Sequence, residues 1–300
     1  MQETYHVPVM LNEVIEGLKI RPDGVYVDCT YGGGGHSRGI LQKLNTEGKL
    51  IVFDQDEDAF KNATKDPRVI FVPNNFRYLK RFLRLHKIEK INGILADLGV
   101  SSHQFDEASR GFSTRFNAPL DMRMDKAQSK TAADIIKTFS AEKLQSIFEK
   151  YGEVTNAKTL SLTIVEARST MEILTVNNFK DAVYNVVKGN PNKYFAQVFQ
   201  SLRIEVNEEL IALKELLIQI PEVLVKEGRA VFITFHSLED RLVKNFLKKG
   251  SFEEEEADEF GNRSSSPFQI ITKKPVTASS EELKLNPRSR SAKVRIAEKI

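Results

Sequence analysis

The sequence predicts an α/β fold: a parallel sheet with crossover helices, interrupted by an inserted helical domain. Three observations carry this. Short β-branched runs alternate with helical stretches, the runs are apolar almost throughout, and almost 130 residues separate the fourth run, ending at Gly99, from the fifth, starting at Gly228. Alternation of this kind is how βαβ units read, and strands covered by helices on both faces lose the polar residue at every second position.

Taken in order, the strands are VYVDCT (25–30), KLIVFDQD (49–56), RVIFVPNNF (68–76), INGILADLG (91–99) and GRAVFITFHS (228–237), with a sixth candidate in SPFQIITKKPV. A crossover with its helix needs only ~10–12 residues, so the long gap predicts a domain of its own. We place it at 105–214, with 1–104 and 215–300 forming the sheet domain. The insert opens on a turn-rich segment, SSHQFDEASRGFSTRFNAPLDMRMD, and then turns helical. Ser140, Thr155 and Thr175 stand where their hydroxyls can accept orphan N–H groups at helix starts. Phe195, Phe199, Leu202, Val206, Leu210 and Leu213, three or four residues apart, continue the helical pattern back towards the sheet.

Composition narrows the class. With 41% apolar and 28% charged residues the chain can bury a full core. Its single cysteine, Cys29, excludes an intramolecular disulfide or a thiolate metal cage and suits a reducing cytoplasm. Neither a basic, apolar-cored leader nor an 18-residue apolar span appears, so export and membrane insertion are not expected. A net charge of +3 is too small to imply nucleic acid, and any polyanion argument rests on where the charges cluster.

The chemistry begins where the first strand runs into TYGGGGHS. A dinucleotide fingerprint, G-x-G-x-x-G, fails in every register, because its sixth position is Ser37 or Arg38 or its third is His36. The P-loop register Gly34 to Gly39 continues into Ile40-Leu41, without lysine or hydroxyl. What remains is a loop of bare backbone with an acidic strand end about twenty residues later. Asp54, or Asp56 in its place, can accept both hydroxyls of a ribose. A third acid, Asp97, ends the fourth strand. A nucleoside without phosphates, carrying a cation that welcomes a carboxylate, is S-adenosylmethionine.

Seven strings extend the argument: HVPVML, VDCTYGGGGHS, DLGVSSHQFD, RGFSTRFNAPLDMRMD, FQSLRIEVNEEL, ITFHSLEDR and NPRSRSAKVR. Together they resemble the bacterial 16S ribosomal RNA (cytosine-N4)-methyltransferase family over nearly the whole chain. The resemblance implies a Rossmann-like S-adenosylmethionine-dependent methyltransferase sheet with an inserted helical domain for substrate recognition. The reaction implied is methylation of the N4 amine of a cytosine in the decoding region of small-subunit ribosomal RNA. Carried over by position, it implies cofactor contacts from Gly34, Gly35, His36, Asp54, Phe76, Asp97 and Gln104. One departure is Asn117-Ala118 before Pro119, where the family has an acidic-glycine pair, and it puts the turn geometry of that loop in question.

Candidate substrate residues follow. An exocyclic cytosine amine is a weak nucleophile and needs an N–H acceptor and an in-line methyl. Many amino-methyltransferases place [DNS]-P-P-[YF] at the end of strand four; this chain reads Asp97-Leu98-Gly99-Val100, without prolines or an aromatic, so motif chemistry alone leaves the methylated atom open, and Asp97 is a catalytic candidate shared with the cofactor site that is not assumed to fill both roles. His236, ending the fifth strand, can face the target base, or can simply precede the helix start Ser237-x-x-Asp240. His6 is a similar, weaker case. Arg110, Arg115 and Arg123 lie among Phe105, Phe112 and Phe116, a mix suited to RNA, with salt bridges to Asp121 and Asp125 the structural alternative. In the tail, Arg288 and Arg290 belong to six basic residues set against one acid, which suits an RNA backbone. The alternation of Val294 and Ile296 marks part of that tail as strand. The acidic run 253–259 reads as a solvated loop. No metal site is predicted. Naked ribosomal RNA and the assembled small subunit both fit as substrate, and a homodimer is compatible with the sequence. Two rival readings remain, a nicotinamide-dependent enzyme and a non-catalytic RNA-binding or ribosome-assembly factor with a methyltransferase shell.

Overall fold

A computed structural model describes residues 8–61, 63–252 and 266–300; His6 and the acidic run 253–259 lie outside the described residues. The chain forms two compact units, Met1–Gly99 with Leu210–Ile300, and Val100–Glu209. Among the described residues no helix is long and apolar enough to cross a membrane.

The first unit holds the sheet. Its strands are β1 (Val25–Asp28), β2 (Lys49–Phe53), β3 (Val69–Val72), β4 (Ile91–Asp97), β5 (Leu224–Thr234), β6 (Phe268–Ile270), β7 (Val276–Thr277) and β8 (Lys293–Lys299). Their order is β3-β2-β1-β4-β5-β8-β6, with β7 also beside β8. The first five are mutually parallel, and β8 runs antiparallel to β5, β6 and β7. The predicted α/β class and its Rossmann-like sheet are therefore present. The sixth candidate divides into β6 and β7, and the Val294/Ile296 alternation lies in β8. β5 begins four residues ahead of Gly228, past an irregularity where Glu227 takes a positive φ of 63°.

Two cores explain why the strand runs are apolar throughout. Side chains alternate across a strand, and here both faces are covered. Val27, Ile51, Phe53, Ala96, Ala230 and Phe232 enter one core with Leu213, Leu217, Val243 and Phe246 from helices Glu209–Val223 and Ser237–Lys249. Tyr26, Leu50, Val52, Leu95, Val231 and Ile233 enter the other with Val14 and Leu18 of helix Leu11–Leu18 and Ile40 of helix Gly35–Leu41. Each of the valine, leucine, isoleucine and phenylalanine side chains among them contributes roughly 1.5–3 kcal/mol on burial, which fixes the register of the parallel strands.

That register sets the working edge. From β3 at one margin the chain returns to β4 beside β1, so the neighbours of β1 leave in opposite directions. Ligands of open α/β sheets bind at the carboxyl ends of strands at such a switch point. Asp28 ends β1 and Asp97 ends β4 on either side of it, with Asp28 in register with Leu95, two residues before Asp97. Every predicted strand of the parallel set overruns the observed one at this end by two to four residues, because the polar tails leave the ladder to form the site loops.

The second unit is helical, with a core that includes Leu144, Phe148, Leu160, Phe179, Phe199 and Leu202. Ser140 and Thr175 cap their helices as expected, accepting from the Lys143 and Asn178 N–H groups. Thr155 does not. The helix Ala157–Ala167 is preceded by Asn156, whose side chain makes no cap. That amide instead donates to the Val186 carbonyl at 2.8 Å and accepts from the Tyr194 hydroxyl at 3.1 Å. Asn190, with Pro191 at the first position, starts the helix Pro191–Asn207, and Glu208 ends it at φ 50°. The Asn117-Ala118 departure leaves an ordered loop: Asn117 Oδ1 accepts from the Asn177 N–H, and the Ala118 carbonyl from that of Val176.

Candidate functional site

The glycine loop is a turn followed by a helix start. Gly34 N–H donates to the Tyr31 carbonyl at 2.7 Å, and the helix Gly35–Leu41 begins at once. Gly32 and Gly34 both take positive φ, 51° and 70°. A Cβ on Gly34 would lie 2.6 Å from the Tyr31 hydroxyl, and Tyr31 is buried with that hydroxyl accepting from the Thr64 N–H. On Gly35 a Cβ would meet Pro8 at 2.9 Å, whereas on Gly33 it would meet nothing within 4 Å. Glycine is thus required sterically at 34 and 35, while the face above Gly33 is open.

Three carboxylates surround this loop. Asp54, just past β2, accepts from the Gly32 N–H through Oδ2 and from the Asp56 N–H through Oδ1, both at 2.8 Å. Burial pushes it up to about 6, against the lowering effect of those two N–H groups. Each of its oxygens keeps a second lone pair for a ligand hydroxyl. Asp97 is also pushed up to about 6 by burial; His36 lowers it, and Asp28 and Glu239 raise it. Its Oδ1 is buried and has no hydrogen-bond partner, although the side chain as a whole keeps 24% of its surface.

Asp28 is the residue that sequence reading passed over. It is buried, takes the Ser37 hydroxyl at 2.6 Å and the Thr30 N–H at 3.1 Å, and so ties the start of the glycine-loop helix to the end of β1. Burial raises its carboxyl above the usual range, with the Ser37 hydroxyl and His36 opposing. Thr30 closes the bracket, accepting the Asp97 N–H at 2.8 Å. The signal was available: Asp28 ends a strand directly before the glycines, by the same rule that picked out Asp54 and Asp97.

A model of the MraW methylase family matches residues 3–300. The chain belongs to that family. It is 54% identical over 299 residues to the ribosomal RNA small subunit methyltransferase H of Parabacteroides distasonis, covering 99% of this chain and 98% of that one. To the protein of the same name from Flavobacterium psychrophilum it is 52% identical, over 97% and 100% of the two chains. A solved rRNA methylase from Streptococcus thermophilus aligns over 99% of both chains at 10% identity with a TM-score of 0.41.

Within this methylase the remaining predicted residues sort by what they touch. Phe76 opens the short helical turn Phe76–Tyr78 after β3 and is partly buried against the core. Gln104 belongs to the helical unit, where it is buried and completes a capping box with Ser101. His236 does not merely precede its helix. It is the cap itself: Glu239 N–H points at Nδ1 at 3.4 Å, and the Glu239 carboxylate takes the Phe235 and His236 N–H groups. The predicted Ser237/Asp240 start is therefore one residue late, and both ring nitrogens of His236 face Glu239, with Nε2 3.1 Å from its carboxylate. Asp240 instead holds Arg295 at 2.6 and 3.0 Å.

The arginines divide likewise. Arg110 is 5% exposed, donates to the Arg123 and Met124 carbonyls at 3.0 and 3.1 Å, and lies over the Phe112 ring. Its guanidinium is built into the loop, which corrects the expectation of an RNA contact there. Arg123 pairs with Asp121 at 2.7 Å, the structural alternative stated for it. Arg115 is exposed beside exposed Phe116. In the tail, Arg295 is buried against Asp240 and Lys299 donates to the Pro221 and Leu224 carbonyls. Arg290 is exposed and Arg288 half-buried in the turn Pro287–Ser291. That basic count therefore overstates the charge on offer to a polyanion.

Proposed function

We propose that this chain transfers the methyl group of S-adenosylmethionine to the N4 amine of a cytosine in the decoding region of small-subunit ribosomal RNA, in the cytoplasm. The observation that carries the reading is the buried, unpartnered Oδ1 of Asp97 at the switch point, beside a glycine loop with an open face at Gly33. A buried carboxylate oxygen without a donor is costly, and a ligand that brings an N–H or a cation relieves it. Family membership supplies the reaction class, and the name its relatives carry points to the RNA.

These residues fit the cofactor by their chemistry. Asp54 has lone pairs for two ribose hydroxyls, the loop at 32–35 presents backbone without Cβ atoms, and Asp97 balances a positive centre. When bound, S-adenosylmethionine supplies a methyl group activated on a sulfonium. The chain's part is to hold the cytosine amine in line with that methyl and to exclude water. The N–C bond would form as the methyl–sulfur bond breaks and leaves S-adenosylhomocysteine, and the proton shed by the amine would pass to bulk solvent. The chain lacks the proline-proline-aromatic platform after Asp97, so positioning contributes most of the catalysis.

Supplying labelled S-adenosylmethionine with unmethylated small subunits, naked ribosomal RNA and a control RNA, followed by digestion, tests the reading. N4-methylcytidine from a ribosomal substrate is expected; no label in any of them, with the site shown to be unmodified, sinks it. The buried acids add a pH prediction. Asp54 and Asp97 both sit near 6, so cofactor binding is expected to weaken as pH falls through about 6 and they take up protons. Calorimetric titration between pH 5 and 8 reads this, and pH-independent affinity would contradict it.

A further inference from the structure

We infer that His36 is a positioning residue that keeps the proton of the Asp97 carboxyl on its Oδ2 side, so that Oδ1 meets the ligand as an acceptor. The inference rests on the proposed methyl transfer only for its functional readout; the arrangement itself is geometric.

His36 is 6% exposed and its two nitrogens have opposite neighbours. Nε2 lies 2.8 Å from the Val9 carbonyl oxygen. A carbonyl only accepts, so Nε2 must carry a hydrogen. In the neutral ring Nδ1 is then a lone pair, and it faces Asp97 Oδ2 at 3.6 Å. At 3.6 Å the two acceptors are not hydrogen-bonded, and a proton that the pair takes up as pH falls bridges them. It sits either on Nδ1 as imidazolium against carboxylate, or on Oδ2 as carboxylic acid against imidazole. In both forms Oδ1 is left as an acceptor. Without the ring, a proton taken up by this buried carboxyl could sit on either oxygen, and on Oδ1 it would present a donor to a cation or an N–H group.

The surrounding charges make His36 the deciding group. Asp28 at the end of β1 and Glu239 from the helix after β5 both act on Asp97, and both are acidic. Asp28 also acts with Ser37 on the helix that carries His36. On the far side of the ring, beside Val9, the Met10 N–H donates to Glu282. Among the described residues His36 is the group that lowers Asp97 while the acids raise it, so removing the ring removes the opposing influence.

The test is His36→Phe in the full chain, with His36→Gln as the variant that retains a donor for the Val9 carbonyl. Loss of a cationic neighbour shifts a carboxylate by about 1–3 pH units. The acid limb of cofactor binding and of methylation should therefore move up by at least about one unit in His36→Phe, with affinity recovering towards wild type by pH 9. Carbon-13 titration of labelled Asp97 should show the same upward shift in the unliganded protein. A His36 that merely packed the loop would lower affinity equally at every pH, and that flat loss, or an unmoved Asp97 titration in both variants, overturns the inference. If the wild type binds no S-adenosylmethionine, the functional reading fails, and the carbon-13 titration still decides this one.

Discussion

Asp97→Asn is expected to raise the melting temperature of the ligand-free protein at pH 8 by a few degrees and to weaken S-adenosylmethionine binding by about 10–100-fold. Both halves come from one atom. The fold raises the Asp97 carboxyl from 3.8 to about 6 by burial, so the charged form is held at a cost. A shift of that size corresponds to at most about 3 kcal/mol at 1.36 kcal/mol per unit, and the partial exposure of the side chain reduces the expected figure to about 1–2 kcal/mol. The sign follows from linkage. With the folded value above the unfolded one, the folded state binds more protons between about pH 4 and 6, stability falls as pH rises through that window, and the full penalty stands above it. Asparagine removes the charge, and its NH2 group can donate to the Nδ1 lone pair of His36, which has no hydrogen to offer in the neutral ring. At about 2–4 °C per kcal/mol for a domain of 150–250 residues, calorimetry at pH 8 should resolve the gain, and at pH 4 it should largely vanish. Binding loses a charge-assisted contact worth about 1.5–3 kcal/mol. A lower melting temperature at pH 8, or unchanged binding, would contradict the assignment of Oδ1 as the ligand's acceptor. Stability given up at a binding site is a common trade.

The sheet was legible because burial on both faces leaves a continuous apolar signature, and Val27, Phe53 and Phe232 opposite Tyr26, Val52 and Ile233 are its physical source. The carboxyl-edge acids Asp54 and Asp97 were legible because strand ends have a position in sequence. What stayed hidden depends on contacts distant along the chain. The pairing of His36 with the Val9 carbonyl spans 27 residues, and that of Thr30 with Asp97 spans 67. Caps were misplaced where the side chain had a better partner. Thr155, the expected cap, stands one residue before the cap position, whose Asn156 side chain is drawn to Val186 and Tyr194 instead, and His236 takes its cap because Glu239, three residues on, can return the bond. Charge in the tail was misread for the same reason: a basic residue in sequence does not announce a half-buried Asp240 awaiting it.

Gly111→Ala is expected to destabilise the helical unit Val100–Glu209 by about 2–5 kcal/mol, whereas Gly189→Ala, at nearly the same backbone angle, is expected to cost only about 1–2 kcal/mol. Gly111 has φ 71° and Gly189 φ 69°, so both substitutions incur the left-handed penalty of about 1–2 kcal/mol. They differ in what the new methyl meets. At 189 nothing lies within 4 Å, but at 111 the Cβ would stand 2.3 Å from the Pro119 carbonyl oxygen and 2.9 Å from the Asp121 nitrogen. Those atoms are backbone and cannot rotate away. They are also pinned: Leu120 N–H donates to the Leu174 carbonyl, the Asp121 carbonyl accepts from Ala132, and Met122 N–H donates to the Arg110 carbonyl. Relief requires shifting a loop whose Leu120 and Met122 are buried in the unit's core, and overpacking of this kind adds about 1–3 kcal/mol. The sum is a large share of the 5–15 kcal/mol that holds a typical protein folded. Hydrogen exchange should show protection lost across the helices between 132 and 207 in Gly111→Ala and kept in Gly189→Ala. Equal protection in the two variants would mean that the Pro119–Asp121 backbone yields more easily than its hydrogen bonds imply.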